Sequence, residues 1–117
     1  MRILKVEPGA KAYEKDIENT LESLQQEVGG GLIQPLYMGD GTILCCNDDG
    51  KLLGMEMNRR FGRDIICGPF FVVGDGGEDF VSLTDEQMNT YMELFGDPEQ
   101  FAAYEPDAQP RAWLISF

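Results

Sequence analysis

The sequence contains no histidine. Imidazole is the commonest general base and the commonest metal ligand, so Ser-His and Cys-His nucleophile pairs and the usual catalytic zinc sites are excluded. Chemistry run by carboxylates, Lys or Arg stays open. Cysteine is scarce: Cys45, Cys46 and Cys67 make an odd set without a C-x-x-C spacing, which argues against a disulfide framework and a zinc site. They read as small core residues in a reducing compartment. Long apolar runs are missing too. Nothing approaches the roughly 20 residues that span a bilayer, and Met1-Arg2-Ile3-Leu4-Lys5-Val6 is no apolar signal segment. The expectation is a cytoplasmic protein without a cofactor or metal, not itself bound to membrane or nucleic acid.

Positive charge is also in short supply, with 9 Lys and Arg against 21 Asp and Glu and a net charge of −12. The imbalance is concentrated. From Phe71 to Phe117, Arg111 alone faces Asp75, Glu78, Asp79, Asp85, Glu86, Glu93, Asp97, Glu99, Glu105 and Asp107. A field this one-sided repels nucleic acid and anionic membrane and favours basic protein surfaces. The plainer reading is that the acidity only keeps a small protein soluble.

What is present fits a single α+β domain over residues 1–117, with 101–117 an irregular, proline-containing tail that wraps it and ends in a short strand at Ala112–Phe117. Arg2–Glu7, a Pro8-Gly9 turn and Lys11–Glu18 form an opening hairpin, although Tyr13, Ile17, Leu21, Leu24 and Val28 also fit a long amphipathic helix. A helix Leu21–Val28, capped by Asn19 or Thr20, ends at Gly29-Gly30-Gly31. Leu32–Met38, interrupted by Pro35, and Thr42–Asn47 form a second hairpin. Asp48 to Arg63 reads as irregular, and Ile65–Cys67 and Phe70–Val73 as core strands. Thr84 and Gln87 form a capping box for a helix to Phe95. The expected fold is a mostly antiparallel sheet of hairpins with both helices on one face, opening in the order of a β-grasp domain.

Arg59, Arg60 and Arg63 stand within five residues, beside Asn58 and near Lys51. Guanidinium forks suit phosphates and carboxylates bidentately, so these residues form a candidate pocket for an anionic nucleotide. The alternative is that they pair with the chain's own carboxylates. The glycine clusters lack the Lys-Ser/Thr of a P-loop and the strand-to-helix order of a dinucleotide fingerprint, and are better explained as turns and caps. The acidic turns Asp48-Asp49-Gly50 and Asp75–Asp79 lack the twelve-residue calcium loop. Among so many acids, a paired-carboxylate hydrolase site has nothing to distinguish it.

The succession Val6-Glu7-Pro8-Gly9, Thr20–Gln25, Val28-Gly29-Gly30, Asn47 with Gly50–Gly54, Asn58-Arg59, Gly68 with Phe70–Gly74, and Asp79-Phe80 with Ser82–Gln87 resembles a family of small domains of unknown function carried by phages, conjugative elements and gut bacteria. The likeness runs from Met1 to about Phe101. Asn58-Arg59 matches the family's most conspicuous polar pair; Arg60 and Arg63 fall outside the match. The resemblance implies an accessory role in the contest with host defences. Two binding functions follow as expectations. One is a non-enzymatic protein that blocks a host protein with a basic surface, imitating DNA through Asp75, Glu78, Asp79, Asp85, Glu86, Glu93, Asp97 and Glu99. The other is a sponge that captures an anionic nucleotide through Asn58, Arg59, Arg60, Arg63 and Lys51. A carboxylate hydrolase ranks last, and self-association into a homo-oligomer stays open.

Overall fold

A computed structural model describes residues 1–101. The expected strand at Ala112–Phe117 lies outside them. Ten elements follow one another: β1 Arg2–Val6, β2 Tyr13–Asp16, α1 Leu21–Glu27, β3 Ile33–Tyr37, β4 Thr42–Asn47, β5 Met57–Phe61, β6 Asp64–Cys67, β7 Phe70–Asp75, β8 Phe80–Val81 and α2 Asp85–Phe95. The class is α+β, and the sheet runs β2-β1-β7-β4-β3 with β8 beside β7. All of its pairings are antiparallel. A separate hairpin, β5-β6, stands off this sheet.

The opening is the hairpin followed by a helix. Thr20 caps α1 by accepting the Ser23 N–H, and Gly29, Gly30 and Gly31 at φ +84°, +92° and +81° take the left-handed turn that ends it. Thr84 and Gln87 close the capping box of α2. Pro35 sits in the edge strand. Leu32 and Met38 exchange backbone bonds with Asp48 and Thr42 of the β4 side, so by the alternation of an antiparallel ladder residue 35 turns its missing N–H outward, where no ladder bond is lost.

The helices divide between the two faces of the sheet, whereas the sequence reading placed both on one. Ile3, Ile43, Cys45, Phe71 and Val73 pack with Leu24 and Val28 of α1. Their neighbours Leu4, Val6, Leu44, Cys46, Phe70 and Val72 pack with Met88, Tyr91 and Phe95 of α2 and with Ile66 of β6. Side chains alternate along a strand, so β4 and β7 can be buried at successive residues only if both faces are covered. On the α1 face the buried Lys5 ammonium donates to Glu27 Oε1 at 2.9 Å, and Lys15 donates to both carboxylate oxygens at 3.0 and 2.9 Å. This fastens α1 to β1 and β2.

One correction concerns the stretch Asp48 to Arg63, expected to be irregular, and a further strand lies beyond it. Residues 57–61 form β5, and Phe80–Val81 adds β8. The register of β5 on β6 jumps between Met57 and Arg59. Such a bulge breaks the period-two pattern by which strands are recognised, and it turns two adjacent side chains, Asn58 and Arg59, to the inside.

Candidate functional site

The sequence-adjacent cations do not form one pocket. Arg59 is 0% exposed: its Nε donates to the Phe95 carbonyl at 3.0 Å, Nη2 to the Ala10 carbonyl at 2.6 Å, and Nη1 to Asn58 Oδ1 at 2.9 Å. Burial pulls its pKa down, opposed by the fields of Glu99 and Asp97. Asn58, equally buried, donates from Nδ2 to the carbonyls of Val6 at 3.0 Å and Gly68 at 2.9 Å. The pair clamps the β5-β6 hairpin to the end of β1, the following turn and the last turn of α2. A guanidinium held this way faces carbonyls instead of solvent, and it is not presented to a solute.

The other members point elsewhere. Arg60 is exposed, pairs with Glu99 across 3.9 Å and covers the ring of Phe101 at 5.4 Å. Arg63 is exposed in the hairpin turn. Lys51 pairs with Asp64 and lines a cavity of about 240 Å³ beneath the Asp48–Gly54 loop, with Leu36, Cys46, Leu52, Phe61 and Ile66. Cys46 and Cys67 border the same cavity. Burial pushes the Cys46 thiol up to about 11 and raises Cys67 as well, so neither presents a thiolate at neutral pH.

The acidic residues are reorganised more than they are dispersed. The register sets Arg2 opposite Asp16, and Thr42 opposite Gly74, so the start of β1, the end of β2, the β3-β4 turn and the end of β7 share one end of the sheet. The Gly41 carbonyl there accepts the Asp75 N–H at 2.9 Å and Gln87 Nε2 at 3.3 Å, which brings the start of α2 to the same place. Asp75, Glu78, Asp79, Asp85 and Glu86 are exposed at this end. They are joined by Asp16, Glu18 and Asp40, which sequence reasoning missed because they lie in the less acidic first part of the chain. Among the described residues Arg2 is the basic side chain at this end, already bonded to Glu14 and Asp85. Lys15, one residue from Asp16, sends its ammonium to Glu27.

Glu93 is exposed partway along α2. Asp97 and Glu99 follow the last turn of α2 at the opposite end, and Glu99 pairs with Arg60. Some of the acids serve the fold. Asp85 and Glu86 occupy the first turn of α2, where carboxylates favour the positive end of the helix dipole. Asp75 Oδ1 accepts the Gly77 N–H at 2.9 Å, and Asp40 binds Thr42 and the Tyr91 hydroxyl. Asp16, Glu18, Glu78 and Asp79 make no side-chain bond among the described residues.

Among the described residues no group of three or more Cys, Asp or Glu side chains is placed to hold a metal ion, and no helix is long and apolar enough to cross a membrane. No curated protein and no solved structure matches the chain. The family model described as Domain of unknown function (DUF3846) matches residues 1–96, and the chain belongs to that family.

Proposed function

We propose that this protein is a non-enzymatic binder that docks the acidic end of its sheet on a basic surface of a partner protein, a surface of the kind that otherwise meets nucleic-acid phosphates. The observation that carries this reading is convergence. Separate stretches of chain around Asp16, Asp40, Asp75–Asp79 and Asp85 bring exposed carboxylates to one end, and Asp16, Glu18, Glu78 and Asp79 form no bond there that the fold uses. Clustered like charge disfavours the compact state by self-repulsion, while it attracts and orients a basic partner. Carried on a mobile element, as the resemblance implies, such a protein would act by occupying a host defence factor, without turnover.

The test is capture from host lysate by wild type and by two reversal variants of the tagged protein. Glu78→Lys/Asp79→Lys/Glu86→Lys reverses the acidic end, and Glu56→Lys/Asp97→Lys changes exposed acids elsewhere. A partner retained by wild type and by the second variant, lost with the first and released by high salt, is the expected result. A partner held equally by all three, or held regardless of salt, would overturn the proposal.

A further inference from the structure

The cavity beneath the Asp48–Gly54 loop is an open cleft, and it lies apart from the acidic end. Leu36, Phe61 and Ile66 of the core on the α2 face form its apolar wall, and Gln34 and Asp48 are among the polar side chains that share the lining. The roof is ordered by backbone bonds. The Leu53 N–H donates to the Asp49 carbonyl at 2.9 Å and the Met55 N–H to the Gly50 carbonyl at 3.0 Å. This ordered loop holds Leu52 and Leu53 outward, 63% and 65% exposed, with Leu52 at the cleft itself. An occupant would therefore cover apolar surface that the described residues leave wet. A groove that mixes an apolar wall with polar groups suits a polypeptide, whose side chains fill the one while its amides meet the other.

We infer that this cleft is a peptide-docking groove whose occupant is the segment Ala112–Phe117 of the same chain, with the Trp113 indole in the cavity. Position comes first. Glu99 Oε1 accepts the Arg60 N–H at 3.1 Å and the Phe101 ring lies 5.4 Å from the Arg60 guanidinium, so the chain after α2 passes beside β5, whose Phe61 is part of the cleft wall. The ten residues 102–111 reach at most about 35 Å, and β5, five residues long, spans only about 17 Å. Composition comes second. Ala112-Trp113-Leu114-Ile115-Ser116-Phe117 supplies large apolar side chains. A cavity of about 150 Å³ holds benzene, so about 240 Å³ takes one larger ring. Charge comes third. Arg111 stands directly before this run, and the exposed carboxylates of Asp48 and Asp49 at the roof make no side-chain bond among the described residues. A segment tethered this closely competes at an effective concentration on the order of mM, ahead of any free peptide. The groove lies within the residues 1–96 that match the family, and its occupant lies outside them.

Trp113 is the sole tryptophan of the chain, so its fluorescence in the full-length protein tests this. Native emission should be blue-shifted from that of the urea-unfolded chain, protected from acrylamide, and unchanged on dilution. Leu52→Asp places a charge against the apolar occupant and should return the emission to the unfolded wavelength while circular dichroism stays that of the folded protein. Leu94→Asp, at a 60% exposed position of α2 away from the cleft lining, should leave it blue-shifted. A second measurement needs no change in the cleft. Trp113→Ala should move the methyl resonances of Leu36, Leu52 and Ile66 and spare those of Leu24 and Val28 on the other face of the sheet. The inference is overturned by a native Trp113 as exposed as in urea, by emission indifferent to Leu52→Asp, or by methyl shifts elsewhere than the cleft. A blue shift lost on dilution would assign the groove to a second copy's segment and would equally overturn it.

Discussion

Replacing Arg59 by Ala should cost the protein a large part of its stability while leaving the acidic end intact. The guanidinium is wholly buried and bonds the carbonyls of Phe95 and Ala10 and the side chain of Asn58. Each buried acceptor left without its donor costs about 1–3 kcal/mol. Ala10 is only half-buried and can turn to water, but the Phe95 carbonyl and Asn58 Oδ1 lie inside. Adding the lost packing of the side-chain stem gives about 3–5 kcal/mol, from a total on the order of 5–15 kcal/mol for a domain. Tm should fall by roughly 15 °C or more. Arg59→Met keeps the stem and should recover part of the loss, whereas Arg59→Lys keeps the charge but cannot reach all the acceptors at once.

Urea unfolding followed by far-UV circular dichroism measures this directly, with the m-value checking that the unfolded state is unchanged. At temperatures where Arg59→Ala is folded, capture of a partner through the acidic end should equal that of wild type. A loss of less than about 1 kcal/mol would refute the clamp. So would full stability combined with lost function, the pattern of a ligand-contacting residue.

Acid should weaken the fold through two carboxyls. Burial alone would raise Glu27, but hydrogen bonds from Lys5 and Lys15 hold it below its usual value; Asp40, likewise opposed by burial, is lowered by Thr42 and Tyr91. With folded pKa values below the unfolded ones, their contribution is complete above the unfolded carboxyl values and is lost as the pH falls through the folded ones. Glu27→Gln and Asp40→Asn should each flatten the acid limb of a pH–stability curve, and unchanged limbs would contradict the assignment. Gly50→Ala should cost about 1–3 kcal/mol by overpacking, because its Cβ would stand 2.5 Å from the Cys67 carbonyl oxygen. It should also disturb the cavity roof, both read by urea unfolding and NMR. Burial pushes Cys45 up to about 12 and Cys46 up to about 11 and raises Cys67. Ellman's reagent at pH 8 should therefore react only as the protein opens, and rapid stoichiometric labelling of the native state would be the contrary result.

Most element positions are legible in the sequence because local chemistry decides them. Thr84 with Gln87 caps α2, the glycine run after Val28 ends α1, and Pro8-Gly9 sets the first hairpin. The placement of the helices was also legible: Thr42–Asn47 and Phe70–Val73 are continuous apolar or small runs, the mark of strands buried on both sides, which two helices on one face could not produce. β5 was hidden for a different reason. A strand carrying Asn58 and Arg59 at a bulge has neither the alternation nor the composition of a core strand, and its burial depends on carbonyls supplied by Val6, Ala10, Gly68 and Phe95. The candidate site was readable only in part. Composition locates the acids of residues 75–99, but the antiparallel register adds Asp16 and Asp40 and separates off Asp97 and Glu99.

That separation bears on whether the acidity is available to a partner at all. Strands of five or six residues set the two ends of the sheet about 17–20 Å apart, and the eleven residues of α2 span about 16 Å. Exposed charges are screened beyond about 8 Å at physiological ionic strength. Arg60, Arg63 and Lys51, gathered around the far hairpin, are therefore too distant to neutralise Asp16, Glu78 or Asp79, and Arg59 is bound to carbonyls within the core. Internal pairing, the alternative account of the arginine cluster, can use Glu99 and Asp64, and among the described residues it does not reach Asp16, Glu78 or Asp79. With Arg2 already bonded to Glu14 and Asp85 and the arginine cluster at the other end, Asp16, Glu78 and Asp79 keep the field a basic partner would meet.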